Sequence, residues 1–193
     1  MDIFIARQGI YNYKEKIVAY ELLYRDSLQN KFSSDIDEDK ATYKISENIN
    51  SFGLDTLTDS KRAFINFTER LIKENFATLL PKEKVVIEIL ENVKANKEVL
   101  QSLSKLRKDG YIIALDDIEK VDDLIKFVNY IDIVKIDFLM AKKEERKRIA
   151  SVCNKLGIKT LDSYEENTII SKFEKSNSLD TIIVDLCKEG KKE

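Results

Sequence analysis

Five apolar runs in this chain each end on, or enclose, a residue that can carry chemistry, and this recurrence limits the fold more than any other feature. The clearest is Tyr111-Ile112-Ile113-Ala114-Leu115-Asp116-Asp117, where mostly apolar residues run straight into two adjacent acids. Ala63-Phe64-Ile65-Asn66 ends in an amide and Val85-Val86-Ile87-Glu88 in a carboxylate. Ile131-Asp132-Ile133-Val134-Lys135-Ile136-Asp137 carries a lysine inside a β-branched run, and Gly157-Ile158-Lys159-Thr160-Leu161-Asp162-Ser163 finishes with an acid and a hydroxyl. Continuous apolar runs of this length predict strands buried on both faces. The segments between them are long enough for crossover helices, so parallel strands are expected, in an open doubly wound sheet or a barrel. In both architectures chemistry collects at the carboxyl ends of the strands. Asn66, Glu88, Asp116, Asp117 and Lys135 are therefore expected on one rim. Alone, Asp116-Asp117 would fit an acidic turn with Asp117 capping the next helix; the recurrence argues for a site.

The first part of the chain reads differently. Asp2 to Gln8 predicts a short strand, Tyr11 to Lys16 a polar turn, and Ile17 to Arg25 a second strand, so the chain opens as an antiparallel hairpin. Glu21 lies among apolar residues, and a buried carboxylate needs a partner. The plain structural alternative is a strand-edge Glu21 paired to Arg25. Asn30 to Asp39 reads as a loop. Ala41, Ile45, Ile49 and Phe52 mark one helical face ending near Gly53, and Leu71 to Leu80 predicts a helix stopped by Pro81. Further helical faces are marked by Val99, Leu100, Leu103 and Leu106, closed by Gly110, and by Leu124, Phe127 and Val128. Ile149, Val152, Cys153 and Leu156 mark another, and Ile169, Ile170 and Phe173 a last one. Thr181 to Leu186 predicts a final strand and Lys188 to Glu193 a charged tail.

Composition removes whole classes of function. With 193 residues, one domain with a substantial core is expected. Lys+Arg 33 against Asp+Glu 35, a formal net charge of −2, gives no electrostatic case for nucleic acid. No basic amphipathic helix or spanning apolar run points to a membrane, and Met1-Asp2 opens without a positive leader, so a cytoplasmic protein is expected. The two cysteines, Cys153 and Cys187, read as structural, with Cys153 on an apolar helical face. The absence of histidine excludes Ser-His-Asp and Cys-His nucleophiles and histidine-bound zinc. Any metal must then be held by oxygen, which points to magnesium, manganese or calcium.

Ala19-Tyr20-Glu21-Leu22-Leu23-Tyr24-Arg25 resembles the signature of EAL domains, the cyclic di-GMP phosphodiesterase superfamily. Phe4-Ile5-Ala6-Arg7-Gln8 and Gly53-Leu54-Asp55-Thr56-Leu57-Thr58 look more like the subgroup in which an EAL domain precedes an HDOD domain. The resemblance covers residues 2 to about 167. It implies an α/β fold, a modified (β/α) TIM-like barrel with an antiparallel first strand, with 1–187 as one domain and 188–193 as a tail. It also implies that Glu21, Asn66, Glu88 and Asp116 are ligands of one Mg²⁺ or Mn²⁺, with Asp117 facing a second ion. Lys135 would lie near the attacking water and the scissile phosphate, Gln8 and Arg25 would contact the nucleotide, and Glu91 would steady the loop after Asp116-Asp117. The implied reaction is hydrolysis of cyclic di-GMP to linear pGpG by two-metal catalysis.

Three departures from the family pattern bear on activity. The glycine-rich loop expected after the paired acids is replaced by Ile118-Glu119-Lys120-Val121. Ser163 stands where an active member has a metal-binding glutamate, with Asp162 one position off and so on the other strand face. Ile182 to Leu186 stands where the family has a Gln-Gly-Tyr type motif, and no HDOD segment follows within the sequence. The expected function is accordingly a degenerate, non-catalytic EAL domain that keeps one metal site and binds cyclic di-GMP, a protein partner, or both. The alternatives are an active Mg²⁺- or Mn²⁺-dependent phosphodiesterase and a purely structural interaction domain. A homodimer is allowed by the resemblance.

Overall fold

The computed structural model describes residues 4–12, 16–25, 37–164 and 182–185. β1 (Phe4–Tyr11) and β2 (Ile17–Arg25) form an antiparallel hairpin in which Gln8 pairs with Glu21. β3 (Arg62–Phe67), β4 (Val85–Ile89), β5 (Ile112–Ile118), β6 (Ile133–Asp137) and β7 (Lys159–Tyr164) follow, each parallel to its neighbour. β8 (Ile182–Asp185) lies parallel to β7 and antiparallel to β1, which closes a barrel of eight strands in sequence order. The fold is the TIM-like α/β barrel with an antiparallel first strand that the opening hairpin implied.

Strand alternation sorts side chains into two apolar layers. Inside the barrel Ile10, Ala19, Phe64, Val86, Ala114, Ile133 and Leu161 form one cluster. Outside it Ile65, Ile87, Ile113 and Val134 pack against helical residues such as Ile45, Leu103, Leu124 and Ile149. Each fully buried Ile, Leu or Val contributes about 1.5–3 kcal/mol, so this continuous outer shell is the main support of the barrel.

The helices begin where polar caps are available. Asp37 accepts from the amides of Asp39 and Lys40 to start α1 (Glu38–Phe52), which ends at Gly53. A short α2 (Leu54–Thr58) follows. Thr68 caps α3 (Glu69–Lys73) and Asn96 caps α4 (Lys97–Lys108). α5 (Val121–Ile125) has no cap from its own preceding side chain. α6 (Lys143–Leu156) stops at Gly157, whose φ of 69° is left-handed and suits a residue without Cβ.

Several expected boundaries moved. The helix expected over Leu71–Leu80 breaks after Lys73, because Asn75 adopts φ 55° and its side-chain Nδ2 donates to the Lys73 carbonyl; a 3₁₀ turn, Phe76–Leu79, completes the crossover. The helix marked by Leu124, Phe127 and Val128 ends at Ile125, although Phe127 is buried in the turn beyond it. Phe52 and Leu156, assigned to buried faces, sit in the last turns of α1 and α6 and are 64% and 55% exposed. β1 runs on to Tyr11, and α1 starts inside the stretch read as a loop. Cys153 is buried, as expected. The helix at Ile169–Phe173, Cys187 and the tail lie outside the described residues. No helix among the described residues is long and apolar enough to cross a membrane.

Candidate functional site

Two residues along each strand from the inner apolar layer, the same face turns polar. Ala19 is followed by Glu21, Phe64 by Asn66, Val86 by Glu88, Ala114 by Asp116 and Ile133 by Lys135. A step of two keeps a strand side chain on one face, so all of these enter the barrel near its carboxyl end. β1 runs the other way, and its polar inner residue, Gln8, therefore precedes Ile10. Gln8, Glu21, Glu88, Asp116 and Lys135 are all at least nine-tenths buried.

Lys135 holds this layer together. Its Nζ lies 3.2 Å from Glu21 Oε2, 2.6 Å from Glu88 Oε1 and 2.8 Å from Asp116 Oδ1. Asn66 Nδ2 donates to Glu21 Oε1 at 3.5 Å. Glu21 is thus partnered by a lysine 114 residues away; the side chain of Arg25, the plain local alternative, lies outside the described residues. Burial alone would lower the Lys135 ammonium, but the Glu21, Glu88 and Asp116 charges outweigh it and hold the group well above its ordinary value. Burial, then the Glu21 charge, raises the Glu88 carboxyl well above the usual range despite Lys135.

The layer is short of positive charge. Three carboxylates face one ammonium. Glu88 Oε1 is met by the Lys135 ammonium, while Oε2 meets no donor among the described residues. Asn66 Oδ1 is also buried without a partner among the described residues. Orphaned buried acceptors of this kind cost about 1–3 kcal/mol each. An oxygen-ligated divalent cation would satisfy both atoms and balance the charge, so the residues present fit such an ion. Among the described residues no three acidic, cysteine or histidine side chains already form a closed metal cage. The Lys135 ammonium stands at the centre they share.

A β-bulge shapes the rim beside this cluster. Leu115 pairs with Val134 but Ile118 with Ile136, so β5 carries one extra residue there. Asp117 takes φ 46°, and its amide donates to Asp116 Oδ1 at 2.9 Å. Asp116 consequently points into the cluster while Asp117 is exposed at the rim. Partial desolvation, then the Asp116 charge, pushes the Asp117 carboxyl up to about 7. The left-handed turn falls on Asp117 itself, an aspartate that tolerates it, and none of Ile118 to Val121, where glycine was expected, takes a positive φ. Ile118 belongs to the strand and is buried, so the stretch after the paired acids read as a remodelled loop is shorter than Ile118–Val121.

The remaining expected residues are less central. Glu91 is exposed after β4; its charge contributes to raising Asp117, and it makes no hydrogen bond or ion pair among the described residues. Arg25 ends β2 opposite Phe4, and Ser163 stands in β7 opposite Asp137, two positions beyond Leu161; both side chains lie outside the described residues. Two residues went unnoticed in the sequence. The Thr42 hydroxyl, buried in α1, donates to the Asn66 carbonyl at 2.6 Å, nearer than the Glu38 carbonyl at 3.2 Å. Glu145 of α6 accepts from the Val121 amide at 3.0 Å. Each acts across a crossover, and no local motif announces either.

No family model matches the chain. It is 45% identical over 157 residues to the uncharacterized protein YuxH of Bacillus subtilis (strain 168), a match covering 77% of this chain and 38% of that protein. It is 37% identical over 137 residues to the cyclic di-GMP phosphodiesterase CdgJ of Vibrio cholerae, covering 70% and 32%. Among solved structures, the Bacillus subtilis YkuI protein, with an EAL domain and in complex with substrate c-di-GMP and calcium, superposes with a TM-score of 0.62 at 24% identity. That superposition covers 86% of this chain and 50% of YkuI, and it speaks to the fold.

The chain is an EAL-like domain. It spans about a third of the length of the curated relatives it matches. In this EAL-like domain the glutamate of Tyr20-Glu21-Leu22 is the one turned inward, while Leu22 is buried in the outer shell.

Proposed function

We propose that this EAL-like domain binds cyclic di-GMP with one divalent cation at the carboxyl rim of the barrel and does not turn it over effectively. The observation that carries the reading is the buried oxygen cluster around Lys135, with Glu88 Oε2 and Asn66 Oδ1 left without partners among the described residues. The similarity to CdgJ, a cyclic di-GMP phosphodiesterase, and to YkuI, solved in complex with c-di-GMP and calcium, supports the choice of ligand. Glu21, Asn66, Glu88 and Asp116 would hold Mg²⁺ or Mn²⁺, and Asp117 faces the place of a second ion. Such an ion, when bound, supplies positive charge to phosphodiester oxygens and acidifies a water. Lys135 keeps its proton and offers its charge to the phosphate. Gln8 and Arg25 contact the nucleotide, and Glu91 steadies the loop after Asp116-Asp117. Residues 1–187 are the domain, 188–193 a charged tail, and a protein partner is the natural recipient of a signal that ends in binding.

The lack of turnover is argued from Ser163. A neutral hydroxyl cannot replace a carboxylate in balancing two divalent ions, and losing that charge leaves the reacting groups less well aligned. A second reading, an active phosphodiesterase, is favoured by the stretch after the bulge: none of Ile118 to Val121 takes a positive φ, so it is built without needing glycine.

Calorimetry with cyclic di-GMP, with and without Mg²⁺, followed by chromatographic detection of pGpG, separates the readings. Binding that needs Mg²⁺, without pGpG above a Glu21→Ala blank, is expected. Turnover well above the blank promotes the phosphodiesterase, and no binding under either condition defeats both. Ser163→Glu is expected to restore turnover in part if the bulge already provides the rim.

A further inference from the structure

The β5–α5 loop, next to the paired acids, is held from outside its own strand and helix. α5 receives no cap from Lys120, the residue before it, yet the Val121 amide is satisfied by Glu145 Oε2 at 3.0 Å. Glu145 is only 22% exposed and its other oxygen meets Arg148 at 2.5 Å, so the carboxylate is fixed at both ends. On the loop side, Ile118 and Val121 are both buried, which leaves Glu119 and Lys120 as a short span between two anchored points.

The next residue of α6 does the same for the next loop. Arg146 donates to the Phe138 carbonyl and lays its guanidinium over the Phe138 ring, 3.8 Å from the centroid. Asp137 tightens that turn by accepting from the amides of Leu139 and Met140, each at 2.9 Å. Adjacent side chains in the first turn of one helix thus hold the loops that follow Asp116-Asp117 and Lys135-Ile136-Asp137.

We propose that Glu145 and Arg146 are positioning residues of the rim: they hang both loops on α6 and so set the spacing between the paired acids of β5 and the lysine of β6. This rests on the reading that the rim binds a divalent ion. It gives α6 a role at the site although the helix contributes no group to it. A displacement of α6, by a partner or a neighbouring domain, is then transmitted to Asp117 and Lys135 together.

The test combines residue-resolved amide exchange, Mg²⁺ titration by calorimetry and the urea midpoint. Glu145→Ala is expected to deprotect the Val121 amide and weaken Mg²⁺ binding by about 10-fold or more, in the range of other supporting residues around metals. Glu145→Gln, which keeps an acceptor, restores both. If Glu145→Ala does not fold, Arg146→Lys serves instead: it keeps the charge, loses the planar contact with Phe138, and should deprotect Leu139 and Met140 while weakening Mg²⁺. Native Mg²⁺ affinity in Glu145→Ala overturns the proposal, as does unchanged Val121 protection. Equal damage in Glu145→Gln and Glu145→Ala overturns it too. Failure of the unsubstituted protein to bind Mg²⁺ instead defeats the ion-binding reading, and the exchange result still decides whether Glu145 holds the loop.

Discussion

Inside one barrel, two layers lie a single strand step apart and are stabilised in opposite ways. The lower layer, Ile10 to Leu161, is apolar and fills its space with ordinary hydrophobic burial. The upper layer, on the same strands and the same face, buries three carboxylates around one ammonium and leaves acceptors unpaired among the described residues. Pairing charges in a low-dielectric interior seldom repays their desolvation. The lower layer is therefore built for stability and the upper one is a cost of function that the rest of the barrel offsets.

The strongest way to break this comparison is to remove the counter-charge. Lys135→Met leaves the Glu21, Glu88 and Asp116 carboxyls buried with no ammonium, and the loss is expected to be about 3–5 kcal/mol in urea unfolding without divalent ions. Adding Mg²⁺ should return part of it. An unchanged midpoint would mean that Lys135 is not what neutralises the cluster.

Next in size is Glu88→Gln. This substitution removes a charge that burial already disfavours, so the metal-free protein should unfold at the same or higher urea. The unsubstituted protein should gain about 2.7 kcal/mol when Mg²⁺ is at 100 times its dissociation constant, and Glu88→Gln should lose that gain. A variant that is weaker without metal but still gains from it would reverse the assignment of cost and function.

A smaller effect is expected one step down the barrel. Ile133→Val deletes one methylene from the lower layer and should cost about 0.5–1.5 kcal/mol, with Mg²⁺ affinity unaltered. Coupling between the two measurements would show that the layers are not separable.

Cys153 supplies the smallest test, from an apolar environment with no counter-charge at all. Burial pushes its thiol from 9.0 up to about 11. The unfolded thiol ionises first as pH rises, so this group's contribution to stability is complete below pH 9.0 and is lost as pH rises through about 11. In a Cys187→Ser background, Cys153 should resist alkylation at about pH 8 until the protein is unfolded. Fast native-state labelling would contradict the packing under α6.

Much of this was legible in the residues. Strand positions follow from apolar runs because both faces of these strands are covered, and β2 was read as Ile17–Arg25, the range it occupies. The inward series Glu21, Asn66, Glu88, Asp116 and Lys135 follows from alternation along each run. Local propensity and period two are short-range properties, so one sequence is enough to see them.

The tertiary structure alone decided which partners meet. Lys135 lies 114 residues from Glu21, and only closure of the barrel brings its ammonium to three carboxylates at once. The β5 bulge, Asp117 at φ 46°, and Glu145 as acceptor for the Val121 amide depend on register and helix packing. So does the break at Asn75, where Leu71 to Leu80 had the pattern of one helix. These are contacts between segments far apart in the chain, and their energies arise from burial and charge in three dimensions, which no local pattern records.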